Sequence, residues 1–180
     1  MRALAKSVRW NGLQTTMSFQ GLPGDLRMTI GDISATRIAG PLRIDSQNKD
    51  IDLVDTTGST SITLARGDVR IASGVMPVAE MDVRLQSGTI DLTLPDNAKF
   101  NLNAVAENGG TFNDYGGAVR EQDSGRRGHS MTTSMGGANV ELRLTRGDIS
   151  IRRGNASSAV TPLSTAKEAP QSAPPLAVVQ

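Results

Sequence analysis

Residues 31–75 read GDISATRIA (31–39), GPLRIDSQN (40–48), KDIDLVDTT (49–57), GSTSITLAR (58–66) and GDVRIASGV (67–75), five nine-residue lines that fall on top of one another. Four of the five open with glycine. The third and fifth positions carry Ile33 and Ala35, Leu42 and Ile44, Ile51 and Leu53, Thr60 and Ile62, and Val69 and Ile71. Successive side chains of a strand point to opposite faces, so this alternation buries one face, and each line becomes a short strand plus a turn. A unit this short cannot bury its own apolar face and has to stack on its neighbours.

Two lines make 18 residues, and Asp32, Asp50 and Asp68 recur at that stride, with Pro41 and Ser59 at the same place in the intervening lines. A two-sided coil brings the three aspartates into one column at a rung spacing of roughly 4.8 Å. A three-sided coil would instead set Asp32 over Ser59 and Pro41 over Asp68. The expected fold is therefore all-β: a single-domain parallel β-solenoid, β-helix-like and flattened, built from strand-turn units of nine to ten residues. An antiparallel meander with short turns satisfies the same alternation and stays open as the competing topology.

Toward the N-terminus, residues 1–14 form a separate segment, read either as a short helix over 2–9 or, with Trp10 before Asn11-Gly12, as the end of a truncated strand. The repeat domain is expected over 15–154, because Met17 and Phe19 are echoed nine residues on by Leu26 and Met28. Residues 75–80 (VMPVAE) hold Pro77 and read as an insertion that changes the stride. Met81, Val83 and Leu85 then align with Ile90, Leu92 and Leu94, and with Phe100, Leu102 and Ala104 beyond them. A polar glycine-rich loop is expected over 116–137, after which Val140, Leu142 and Leu144 resume the pattern and Ile149 and Ile151 repeat it. From 155 to 180 the chain turns to Ala, Ser, Thr and Pro, with prolines at 162, 170, 174 and 175. Such a tail cannot bury enough apolar surface to offset its ordering entropy, so it is expected to be disordered.

The recurrent strand starts Gly31-Asp32-Ile33, Gly67-Asp68-Val69, Gly88-Thr89-Ile90 and Gly147-Asp148-Ile149 carry a family resemblance, as do SGTIDLTLPDNAKFNLNAVAENGGTF and the closing GGANVELRLTRGDISIRRG. Residues 15–154 resemble a bacterial putative-adhesin, β-strand-repeat family of domains of unknown function. The resemblance implies a parallel β-solenoid exported to the cell envelope or the extracellular space, with no catalytic residues to carry over.

Composition narrows the rest. Aromatic residues are only 3% of the chain against 37% hydrophobic, so the interior has to be aliphatic and thin. There is no cysteine, which removes disulfides, zinc knuckles and thiol catalysis. Nineteen basic residues against 18 acidic ones give no overall field to attract nucleic acid or an anionic membrane. No stretch reaches the roughly 18 apolar residues that a membrane helix needs. The opening MRALAKSVRW lacks the apolar run of a secretory signal, which leaves a cytoplasmic location open beside the envelope one.

A calcium-binding nonapeptide roll needs the turn G-G-x-G-x-D, whereas these lines carry one glycine with aspartate directly after it. Asp32, Asp50 and Asp68 are accordingly expected to bond turn amides, and no metal or cofactor is expected. A polysaccharide-cleaving face would need acids and arginines in line. Ser34, Asp52 and Arg70 share an expected column, with Asp91 and Arg84 to follow, but alternating charge is ordinary on a solvated strand face. His129 is the one histidine, and a relay with Asp123 would stand on a loop. Residues 120–153 hold seven arginines and four acids, a local net charge of +3. Within them Arg120, Arg126, Arg127 and His129 form the candidate ligand-contact loop.

We therefore expect a non-enzymatic, envelope or surface-associated binding and scaffold module, its partner an envelope polymer or another protein, with no nucleic acid and no membrane span. The alternative is a self-assembling cytoskeletal filament protein of the bactofilin kind, in which open-ended coils associate end to end.

Overall fold

The computed structural model describes residues 7–12, 15–20, 25–28, 31–123 and 127–154; the tail from 155 and Arg126 lie outside them. Short runs of alternating apolar residues bounded by glycine can form strands but no amphipathic helix, and the described residues contain sixteen β-strands and no α-helix. The first are β1 (Ser7–Gly12), β2 (Thr15–Gln20), β3 (Asp25–Met28), β4 (Asp32–Thr36), β5 (Leu42–Asn48), β6 (Asp50–Val54), β7 (Thr60–Arg66) and β8 (Val69–Ala72). After them come β9 (Met81–Ser87), β10 (Ile90–Leu94), β11 (Phe100–Ala106) and β12 (Thr111–Asn113). The last are β13 (Arg120–Asp123), β14 (His129–Ser134), β15 (Ala138–Arg146) and β16 (Ile149–Arg153).

From β4 to β12 the chain alternates between two open sheets whose inner faces share one core. The nine-stranded sheet runs β1-β2-β5-β7-β9-β15-β11-β14-β13, and the seven-stranded sheet β12-β16-β10-β8-β6-β4-β3. The 18-residue stride is the register of the stack: Ile33 pairs with Ile51 and Ile51 with Val69, while Ala35, Leu53 and Ile71 form the next row. All ten positions singled out by the nine-residue lines are buried, Thr60 included. The Pro77 segment carries no strand and lengthens the stride, so that Val69 meets Ile90 and Thr60 meets Met81.

Two expectations are corrected. The stack is not parallel throughout: β1–β2, β2–β5, β3–β4, β11–β14 and β13–β14 are antiparallel, while the seven-stranded sheet stays parallel out to its edge strand β12. Inward-outward alternation is the same for either direction, so the Met17–Leu26 echo identified strands without revealing that they turn back. The stretch 116–137, expected to be a loop, also contains β13 and β14, a hairpin at the edge of the nine-stranded sheet. Its residues are mostly polar because a terminal hairpin buries little; Met131 is the fully buried side chain of β14.

A third feature was invisible in the pattern. After β10 the chain passes over one position and lays β11 beyond it; the vacated places beside β9 and β10 are filled later by β15 and β16. The glycines of the tight turns follow this spatial order. Gly67, Gly88 and Gly147 have φ of 133°, 143° and 122°, and a β-carbon on each would fall 2.1, 1.8 and 1.8 Å from the carbonyl oxygens of Lys49, Gly67 and Gly88 respectively. Stacked turns this close leave no room for a side chain.

The core is built of Ile, Leu and Val, each fully buried side chain contributing about 1.5–3 kcal/mol relative to exposure. Phe100 and Tyr115 add the aromatic exception. Their rings meet edge to face at 5.3 Å, the Arg153 guanidinium lies 4.6 Å from the Tyr115 ring centre, and the Tyr115 hydroxyl donates to the Pro95 carbonyl at 2.8 Å, with that of Leu94 at 3.1 Å. Burial pushes the phenol up to about 12, opposed by the nearby Arg153. Native chains thus hold a proton that unfolded chains release above pH 10, so stability should fall as pH rises from 10 toward 12 and owe none of its pH dependence to Tyr115 below 10. Denaturation midpoints across that range for wild type and Tyr115→Phe measure the difference. The substitution itself should cost only about 1 kcal/mol, because the two carbonyls keep bonds from Gly154 and Ala98.

Candidate functional site

The aspartate column forms as the stride requires, and its bonds run from rung to rung. Asp50 Oδ1 accepts the Asp68 backbone N–H at 2.9 Å, and Asp68 Oδ1 accepts that of Thr89 at 2.9 Å. Asp148 joins them through its strand's insertion and accepts the Gly110 N–H at 2.7 Å. Each carboxylate supplies an acceptor to a turn donor that the sheet itself leaves unpaired. Among the described residues no group of three or more His, Asp or Glu is arranged to hold a metal ion. Asp50→Asn should therefore be nearly neutral, since the amide oxygen accepts the same bond, while Asp50→Ala should cost about 1 kcal/mol. Thermal melts with calcium and with chelator check this; a calcium-dependent rise lost in Asp50→Asn would assign the column to cation binding instead.

On the outer face of the seven-stranded sheet Ser34, Asp52, Arg70, Asp91 and Ser150 do line up across adjacent strands. Asp91 also meets Arg152 at 3.4 Å. Arg84 does not belong to this row: it lies in β9 on the other sheet and pairs with Asp82 at 3.1 Å. Within the row Asp52, Arg70 and Asp91 alternate in charge between two serines, a pattern that is mildly favourable on a solvated strand face.

The outer face of the nine-stranded sheet carries a groove of about 700 Å³ that the sequence reading did not single out. It crosses β5, β7, β9, β15 and β11, and Arg43, Ser61, Asp82, Asn103, Asn139 and Glu141 line it. Three of its four charged residues are paired along their own strands, Arg43 with Asp45 at 3.2 Å, Asp82 with Arg84 at 3.1 Å and Glu141 with Arg143 at 2.6 Å, and Glu80 is the fourth. The Ser61 hydroxyl and the Asn103 amide make no side-chain hydrogen bond within the described residues, which leaves donors and acceptors turned to whatever lies in the groove. The sequence signal was the repeated charge pair two residues apart, which puts both partners on one strand face.

Of the candidate contact residues, Arg126 lies outside the described residues, and Arg120 stands apart from Arg127 and His129. Arg120, exposed, opens β13 opposite Thr132 and lines a second cavity of about 490 Å³ with Thr132 and Thr133. Arg127 and His129 stand at the other end of the hairpin, roughly 10 Å away along the strand. Arg127 is exposed and its carbonyl accepts the Gly109 N–H at 3.2 Å. His129 and Asp123 do meet across β13 and β14, with Nδ1 3.0 Å from Oδ1. Ser130 follows His129 in an extended strand and so faces the opposite side, where it donates to the Gln122 carbonyl; it cannot complete a relay with His129.

Two open, largely parallel sheets stacked in 18-residue rungs, with polar ladders outside and an aliphatic core within, define a β-repeat domain. The family model of the Toastrack DUF4097 domain matches residues 11–152, and the chain belongs to that family of domains of unknown function, the kind its Gly-Asp-Ile strand starts resemble. No curated protein matches the chain. Among solved structures, a crystal structure of a "putative cell adhesion protein" from Clostridium sporogenes is similar over 80% of this chain and 84% of that one, at 9% identity and a TM-score of 0.39.

Proposed function

We propose that this domain is a non-enzymatic binding and scaffold module of the β-solenoid type, working at the cell envelope or cell surface, and that its ligand is an extended polar chain laid across the strands. The groove on the nine-stranded sheet carries the reading. It offers hydroxyl, amide and carboxylate groups at rung spacing, roughly 4.8 Å, over five strands. A polymer with recurring hydrogen-bonding groups can engage several rungs at once, each adding a modest increment. Asp82 and Glu141 are each already engaged by an arginine on their own strand, an arrangement that supports polar binding. Co-sedimentation of the purified protein with isolated envelope polymer tests this, beside an Asn103→Ala/Glu141→Ala variant with an unchanged melting temperature. Binding that weakens severalfold in the variant is expected; no binding by either protein would sink the proposal.

The unpaired outer edges of β12 and β13 support a second reading, a filament that grows end to end. Electron microscopy of the purified chain separates the two readings.

A further inference from the structure

β15 and β16 come last among the described strands, yet they sit inside the sheets. β15 lies between β9 and β11 and parallel to both, and β16 lies between β10 and β12. Every ladder made by residues 138–153 is therefore with a strand completed earlier in the chain, and none is with β14, from which the segment emerges. Without it each sheet would have a slot bounded by two strand edges. The connection to β14 is three residues, Met135, Gly136 and Gly137. It is held closed by bonds from the Met135 N–H to the Phe100 carbonyl, 3.1 Å, and from the Gly136 N–H to Asn101 Oδ1, 3.2 Å. Gly136 and Gly137 have φ of 75° and 105°, a turn that glycine can exchange for extended backbone without a side-chain penalty.

The outer face shows a second, independent sign. Glu141 stands directly across from Asp82, and Arg143 directly across from Arg84. Like charges opposite one another loosen a strand pair, and here the ion pairs formed run along each strand, Asp82 with Arg84 and Glu141 with Arg143, instead of across the seam. On the seven-stranded sheet the corresponding row alternates, Arg70 lying between Asp52 and Asp91. The seam between β9 and β15 is thus the electrostatically weak one in its sheet, and it is where the late segment docks.

We propose that this slot is an exchange site for residues 138–153 of a second copy of the chain, so that copies insert their β15–β16 segments into one another. Exchange preserves every ladder and the buried row Val140, Leu142, Leu144, Ile149 and Ile151, and alters only the glycine hinge. The occupant is a second copy because register and apolar row already match this segment strand for strand. Reciprocal insertion gives a closed dimer; serial insertion gives an open row, a mode of assembly that does not use the outer edges.

The chain has no cysteine, so full-length Arg84→Cys and Arg143→Cys copies can be mixed, unfolded, refolded together at high concentration and oxidised. Exchange sets the two introduced thiols opposite each other on different copies. The expected result is disulfide-linked heterodimer in clear excess over a mixture of Arg43→Cys and Arg143→Cys, whose positions are separated by β7 and β9. Equal yields in the two mixtures overturn the proposal. In a second arm, the full chain with Gly136 and Gly137 deleted can no longer return directly from β14 into its own slot. Light scattering should find dimers or larger species with native circular dichroism, and a monomer, folded or unfolded, overturns the proposal as well.

Discussion

An Ile51→Asp chain should lose its cooperative thermal transition altogether. Ile51 is 1% exposed and lies in register between Ile33 and Val69, with the inner face of the nine-stranded sheet closing over it. A carboxylate placed there has no cation within the aliphatic row, and an uncompensated buried charge costs about 3–5 kcal/mol. The lost isoleucine burial adds about 2 kcal/mol more. Against a total stability of about 5–15 kcal/mol, that leaves most molecules unfolded or aggregated. Ile51→Val, which removes one methylene from the same place, should keep the transition and cost only about 0.5–1.5 kcal/mol. Calorimetry of both proteins is the measurement, and an Asp variant that melts like wild type would mean that this row does not face the core.

Gly88→Ala should be almost as damaging, through the backbone instead of the core. Its β-carbon would lie 1.8 Å from the carbonyl oxygen of Gly67, and its φ of 143° is one that side-chain-bearing residues rarely adopt. The obstacle is main chain in the adjacent turn, itself bonded into the stack by its N–H to Ser87, so it cannot swing aside. Forcing the site open should cost about 3 kcal/mol or more, combining strain at an unfavoured φ with a displaced rung. Gly31 opens a repeat line in the same way but has nothing within 4 Å of its would-be β-carbon. Gly31→Ala should therefore change stability by less than about 0.5 kcal/mol. Urea denaturation of the two variants separates the roles: similar midpoints would show that the turns do not stack as tightly as the structure has them.

These two positions also mark the boundary between what sequence and tertiary structure each decide. The nine-residue lines by themselves determined which side chains go inside, where the turns fall, and that Asp50 and Asp68 serve turn amides, because each of these follows from period and local chemistry within one or two strands. Strand direction, neighbour and order are different in kind. Leu26 and Met28 alternate in the same way whether β3 runs with β4 or against it, and only packing made that pair antiparallel. Ile149 and Ile151 would fit beside any rung, since all rungs present the same aliphatic row; only the completed fold placed them between β10 and β12. The groove depends on that placement, because it brings Glu141 and Asn139 from β15 alongside Asp82 in β9 and Asn103 in β11. The Toastrack repeat is thus legible in one dimension as a list of interchangeable rungs, whereas their order in the stack, and every site shared between rungs, is a long-range choice that a periodic pattern cannot encode because its units are alike.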